Sequence, residues 1–262
     1  HDHPFKYDIS ANLSTLRNRV TSLGFGTKSY ITGAYATYVG KEIGKFYGWV
    51  YEGIARTQSD LDNHATQQGA NVGDCLYKDI SGPNGEPDGV IDAYDQTVLG
   101  SGLAKMNFGL SAHMEYKGFD LSISTYGALN YHVADDIYNS LNSCYGWGNK
   151  DVAMADANRF SEDGSTYLSN VPRTYVDNKG TLAWNDLFSS RKIQNAAYWK
   201  IANVELGYNF PDRWFKGLVT GVRAYVSAQN LYTFTGYKGY NVDYAGGTFT
   251  PGFNFCSFPS AR

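Results

Sequence analysis

Residues 108–125 read FGLSAHMEYKGFDLSIST. Phe108, Leu110, Ala112, Met114 and Tyr116 alternate with Gly109, Ser111, His113 and Glu115. After Lys117-Gly118, Phe119, Leu121 and Ile123 alternate with Asp120, Ser122 and Ser124. A period of two puts successive side chains on opposite faces of an extended strand. Gly118 suits the positive φ of a two-residue hairpin turn. The stretch is therefore a β-hairpin with one apolar and one polar face. Either the apolar face packs on a protein core, as in a secreted β-sandwich, or it faces lipid around a wet lumen.

The same reading places strands at 5–13, 29–39, 106–116, 119–129, 198–210 and 221–234. Between and after them lie long connections at 40–105, 130–197 and 235–262. Connections of that length are uncommon in soluble domains. Short turns at one end and long loops at the other are the asymmetry of transmembrane β-barrels. Tyr116, Phe119, Tyr208 and Phe210 gather beside the short turns, as interfacial aromatics do. Six strands cannot enclose a lumen without exposing edges to lipid, so a barrel reading makes this chain part of a larger one.

Composition agrees. Of 262 residues only 18% are charged, while 22 Tyr and 29 Gly favour strands and turns. A mean hydropathy of −0.40 fits alternating strands, and no apolar run of about 18 residues offers a spanning helix. A net charge of −3 without a basic block argues against nucleic acid as a partner. His1 in place of Met is read as a start inside something longer. Cys75, Cys144 and Cys256 are odd in number and widely spaced, which matches neither a disulfide framework nor zinc.

Two features carry possible binding chemistry. In NGEPDGVIDAYD (84–95), Asn84, Glu86, Asp88, the Val90 carbonyl, Asp92 and Asp95 have the spacing of a calcium loop, with Gly89 at its sharp turn. Asp79 is an alternative first ligand, and a solvated acidic turn is the competing reading. In the 130–197 loop, Tyr145, Trp147 and Trp184 are candidates for cargo or partner contact; packing within the loop is the alternative. There is no nucleophile elbow, phosphate loop or HExxH, so no catalytic residue is assigned.

Several motifs resemble the C-terminal part of the SusC/RagA family of TonB-dependent transporters. They are GKFYGWVYEGI (44–54), GDCLYKDI (73–80), DGVIDAYDQTVLG (88–100), the hairpin at 107–130, YWKIANVELGYNFP (198–211) and VSAQNLYTFTGYKGYNVD (226–243). Where the family has Asp-Pro-Glu, this chain has Asn-Val-Asp at 241–243. The resemblance implies an all-β segment of a transmembrane antiparallel barrel of about 22 strands, with long extracellular loops. It implies import of oligosaccharides or peptides across the bacterial outer membrane. It also implies a SusD-like lipoprotein lid as partner, and TonB acting through a plug that this chain, like the last strand, lacks. A passive porin-like barrel and a calcium-dependent carbohydrate-binding sandwich are the rival expectations.

Overall fold

A computed structural model describes residues 4–142, 171–173, 184–216, 219–243 and 246–255. Its strands, in chain order, are β1 (Phe5–Thr15), β2 (Ser29–Thr32), β3 (Tyr35–Tyr38), β4 (Lys45–Gly48), β5 (Tyr51–Ile54), β6 (Cys75–Tyr77) and β7 (Thr97–Ser101). There follow β8 (Met106–Tyr116), β9 (Phe119–Leu129), β10 (His132–Asp135), β11 (Gln194–Asn195), β12 (Tyr198–Asn209), β13 (Arg223–Thr235) and β14 (Phe253–Asn254). Two short helices, α1 (Gln58–Asp62) and α2 (Asp136–Leu141), lie in the connections.

The five long strands form one antiparallel sheet in the order β1-β8-β9-β12-β13. The β8–β9 turn has Lys117 at φ 47° and Gly118 at φ 88°, so both central residues twist in the sense that flanking strands favour. The expected strand at 29–39 does not join this wall. Gly33, at φ 52°, turns the chain back, and β2 and β3 form a small hairpin in a separate four-stranded sheet, β2-β3-β4-β7. The wall therefore has five strands, not six, and β1 pairs directly with β8. The described strands form an open sheet; they do not close a barrel.

Register runs across the whole sheet, with one shift within β12, and sorts its faces. On the apolar face, one row is Phe5, Tyr116, Phe119, Tyr208 and Ala224, beside the short turns. The middle row is Ile9, Ala112, Ile123, Val204 and Ala228. The outer row is Leu13, Phe108, Gly127, Trp199 and Phe234. Phe119 and Tyr208 have ring centroids 4.6 Å apart, and Trp199 stacks on Phe234 at 5.3 Å. Two aromatic levels thus bound an aliphatic band eight residues tall along β1. At roughly 3.3 Å per residue and a tilt near 40°, that is about 20 Å, close to the apolar belt of an outer-membrane barrel.

Among the described residues nothing covers this band. Phe5, Tyr7, Ile9, Leu13, Leu110, Leu206 and Val226 are all exposed. A sandwich would lay a second sheet here. Instead the buried clusters lie at the outer end of the wall and beyond it. Tyr35, Phe46 and Ala134 form one, and Cys75, Tyr77, Ile91 and Trp184 another. A third, with Tyr131, Val133, Tyr237 and Val242, reaches the wall at Ala128 and Tyr198. The long connections expected to be plain loops thus carry packed structure of their own. They leave the wall at the end opposite the 117–118 and 210–222 turns.

Ile123→Arg, on the middle row, should cost about 2–4 kcal/mol of assembly into lipid, whereas Ser124→Arg, on the other face, should be tolerated. Heat-modifiable migration of membrane fractions separates the two outcomes; equal behaviour would reverse the assignment of faces.

Candidate functional site

The wall's second face is polar throughout and graded along the strands. Nearest the short turns, Lys6, Glu115, Asp120, Gly207 and Tyr225 form one row, and Asp8, His113, Ser122, Glu205 and Ser227 the next. Above them comes an uncharged row of Ser10, Ser111, Ser124, Asn203 and Gln229. Then follow Asn12, Gly109, Tyr126, Lys200 and Thr233, and last Ser14, Asn107, Ala128, Tyr198 and Thr235.

Several charges in the lower rows are paired. Arg223 donates from Nε to Asp120 Oδ1 at 3.1 Å and from Nη2 to Glu205 Oε1 at 2.7 Å. Gly207 makes this possible, because a Cβ there would meet the Arg223 guanidinium and the Asp120 carboxylate at 2.5–2.6 Å. His113 shares hydrogen bonds with Ser122 Oγ (2.8 Å) and Glu115 Oε1 (3.2 Å). It is a residue of the polar face, as its place in the alternation predicts.

A bulge decides the upper rows. Between Ile201 and Asn203 the register of β12 shifts against both neighbours, leaving Ala202 outside the pairing. Strict alternation would put Ala202, Lys200 and Tyr198 on the apolar face with Val204, Leu206 and Tyr208. One extra residue reverses the phase. Trp199 and Ile201 take the apolar side, and Lys200 and Tyr198 the polar one.

Lys200 is buried there and needs a counter-charge. Asp243 supplies it, reaching back over the wall from the segment after β13: Lys200 Nζ lies 2.7 Å from Asp243 Oδ2, and Tyr126 Oη donates to the same oxygen at 2.9 Å. Burial pushes the Asp243 carboxyl up, but hydrogen bonds from Lys200, Tyr198 and Tyr126 outweigh it, and the group titrates below its usual range. Tyr131 Oη donates to Val242 O at 2.7 Å. Farther along, Pro251 O accepts from Tyr35 Oη at 3.3 Å, and β14 pairs in parallel with β10. Asn254 donates to buried Asp135, which also accepts from Tyr237 Oη; burial and that carboxylate raise the Tyr237 phenol well above its usual range. The strap segments 236–243 and 246–255 are thereby tied across the outer end of the wall. Beside it, Lys200, Thr233, Tyr237 and Asn241 help line an open cavity of about 210 Å³.

The two sequence candidates fare differently. Of the proposed loop aromatics, Tyr145 and Trp147 lie outside the described residues. Trp184 is a core residue rather than a contact platform: it is 4% exposed, packs on Tyr77 at 6.2 Å, and its Nε1 donates to Gln68 O at 3.0 Å. The acidic stretch folds as a capped turn. Buried Asp95 accepts from the amides of Ile80 (2.7 Å), Ser81 (3.1 Å) and Asp92 (2.8 Å). Asp92 accepts from Tyr94 N, Asp88 from Val90 N, and Asp79 from Gly89 N. Asn84 and Glu86 are exposed. Among the described residues no three acidic, His or Cys side chains are placed together to hold a metal, and of Asn84, Glu86, Asp88, Val90, Asp92 and Asp95 the three aspartates accept from backbone amides. The residues that sequence reasoning missed are Lys200 and Asp243, whose only signal was a lysine inside an otherwise apolar run.

No family model matches the chain. TonB-dependent receptor P3 of Formosa agariphila is 28% identical over 247 residues, covering 90% of this chain and 23% of that protein. TonB-dependent receptor SusC of Bacteroides thetaiotaomicron is 26% identical over 249 residues, covering 90% of this chain and 22% of its own length. Among solved structures, that of the RagAB peptide transporter superposes with a TM-score of 0.72 at 22% identity, over 96% of this chain and 25% of the other. The chain thus spans about a quarter of the length of the proteins it matches. It is homologous over most of its length to SusC/RagA-type TonB-dependent receptors, a family of outer-membrane β-barrel transporters rather than enzymes.

Lys200→Met should free the strap, read as faster hydrogen exchange over 236–243, and the Lys200→Met/Asp243→Asn pair should exchange less than the single variant. Because Asp243's folded pKa lies below its ordinary 3.8, its contribution is complete above about pH 4 and is lost as pH falls through the folded value. Exchange over 236–243 should therefore rise only below about pH 4. Chelation with EDTA should leave the melting temperature within about 1 °C, since the acidic turn is held by its own amides.

Proposed function

We propose that this homologue of the SusC/RagA-type receptors is part of the wall and external rim of a closed outer-membrane barrel of about 22 strands. The whole protein imports oligosaccharides or peptides too large to diffuse through porins. The observation that carries this reading is the uncovered apolar band between two aromatic rows, backed by a wholly polar face. The apolar band meets lipid, and the polar face lines the passage.

In that setting each part has a task. The paired charges Asp120, Glu205 and Arg223 lie in the periplasmic half, where a plug from elsewhere in the protein would rest against them. The uncharged Ser and Asn row above offers donors and acceptors to cargo without a strong electrostatic trap. The packed external segments form a surface for a SusD-like lipoprotein lid. TonB would supply the energy through the plug. A peptide transporter of the RagAB kind and an oligosaccharide importer are both compatible with this wall.

The test is isolation of the whole protein from washed outer membranes in detergent, followed by uptake of labelled oligosaccharides and peptides with and without TonB. The expected result is a species several times heavier than 29.0 kDa, with a lipoprotein attached and TonB-dependent uptake of one cargo class. Uptake independent of TonB would mean a passive pore. A soluble 29.0 kDa protein would overturn the membrane reading altogether.

A further inference from the structure

Directly after β1, residues 16–41 form a lobe with an unusual charge. It contains Arg17, Arg19, Lys28 and Lys41 and no Asp or Glu, so it carries +4 against a net −7 for the other residues. Backbone hydrogen bonds join the segments that carry these cations. Val20 N donates to Lys41 O (2.9 Å), Gly40 N to Val20 O (2.7 Å), and Val39 N to Lys28 O (2.9 Å). All four cations are exposed. The nearest carboxylate in sequence, Glu42, is already engaged by Lys45 at 3.2 Å, Lys105 at 3.7 Å and Ser101 Oγ at 2.9 Å.

The lobe also shows apolar groups to the outside. Phe25, in a left-handed conformation at φ 59°, is fully exposed at the tip of a Gly-Phe-Gly turn. Leu16, Tyr30, Ile31 and Val39 are exposed as well. Cations mixed with exposed aromatic and aliphatic groups match the boundary between acyl chains and headgroups.

Position supplies the occupant. The apolar face of β1 ends at Leu13, in the outer aromatic row, and Leu16 and Arg17 emerge three and four residues later, roughly 10–13 Å along the chain. The lobe is therefore continuous with the lipid-facing surface, at headgroup height. We propose that it binds the phosphate groups of anionic glycolipid in the external leaflet, with Arg17, Arg19, Lys28 and Lys41 on the phosphates and Phe25 among the upper acyl chains. This rests on the membrane reading above. An acidic protein surface is the competing occupant.

The test uses the whole transporter purified from outer membranes in detergent. Its melting temperature is followed on addition of bisphosphorylated lipid A, of the dephosphorylated lipid, and of inorganic phosphate. Lipid A should raise it by about 3 °C or more, and the other two by less than about 1 °C. The variant R17Q/R19Q/K28Q/K41Q should lose at least half of the rise, and Phe25→Ser part of it. An equal response to dephosphorylated lipid, an equal response to phosphate alone, or a full response in the quadruple variant would each overturn the proposal. If that variant fails to assemble, the three probes on the unaltered protein still decide. A transporter that assembles in the membrane but ignores lipid phosphate sinks this inference alone. Absence from the outer membrane sinks the transport reading and this inference with it.

Discussion

A peptide group that faces hydrocarbon has no water to bond, and the rest of the structure follows from that constraint. The five-stranded ladder satisfies the backbone between strands, and register then fixes which side chain meets which medium. The rows of paired residues from β1 to β13 are its visible consequence. Even Thr125, a hydroxyl on the apolar side, is satisfied locally by donating to Leu110 O at 3.2 Å. On the proposed membrane setting the wall needs no packed core, because its apolar face is solvated by lipid.

Where the ladder is interrupted, the interruption serves the polar side. The bulge at Ala202 spares Lys200 a place in lipid and brings it to Asp243. That pair, with Tyr126 and Tyr131, ties the strap after β13 to the wall and joins the membrane part to the folded external part. A salt bridge so placed stabilises little by itself, but it dictates where the strap lies.

The external part follows the ordinary rules of water-soluble protein. It buries Tyr77, Phe46 and Trp184 in small aromatic cores. It spends its carboxylates on backbone amides and ion pairs, as Asp95 does at its turn and Asp74 does with Arg173 (2.7 Å) and Asn185 (2.8 Å). One chain thus obeys two solvents, with the outer aromatic row as the border between them.

Much of this was legible in residue order. Alternation of period two located β1, β8, β9 and the lower part of β12, and told their faces apart, because a strand has only two sides. The Lys117-Gly118 turn, the polarity of His113 and the interfacial Tyr116, Phe119 and Tyr208 were readable for the same reason. The stretch 29–39 misled, since a β-rich segment looks alike whether it runs straight or folds back at Gly33. Spacing alone suggested a calcium loop at residues 84–95, whereas the amide bonds that Asp88, Asp92 and Asp95 accept are visible only in the fold. Trp184 looked like a contact ring because burial is invisible in one dimension. Which residues of β12 take the apolar side beyond Ala202, and that Lys200 meets Asp243, only the tertiary structure decided. A bulge is a property of two strands compared, and a partner 43 residues away is found only when the chain has folded back upon itself.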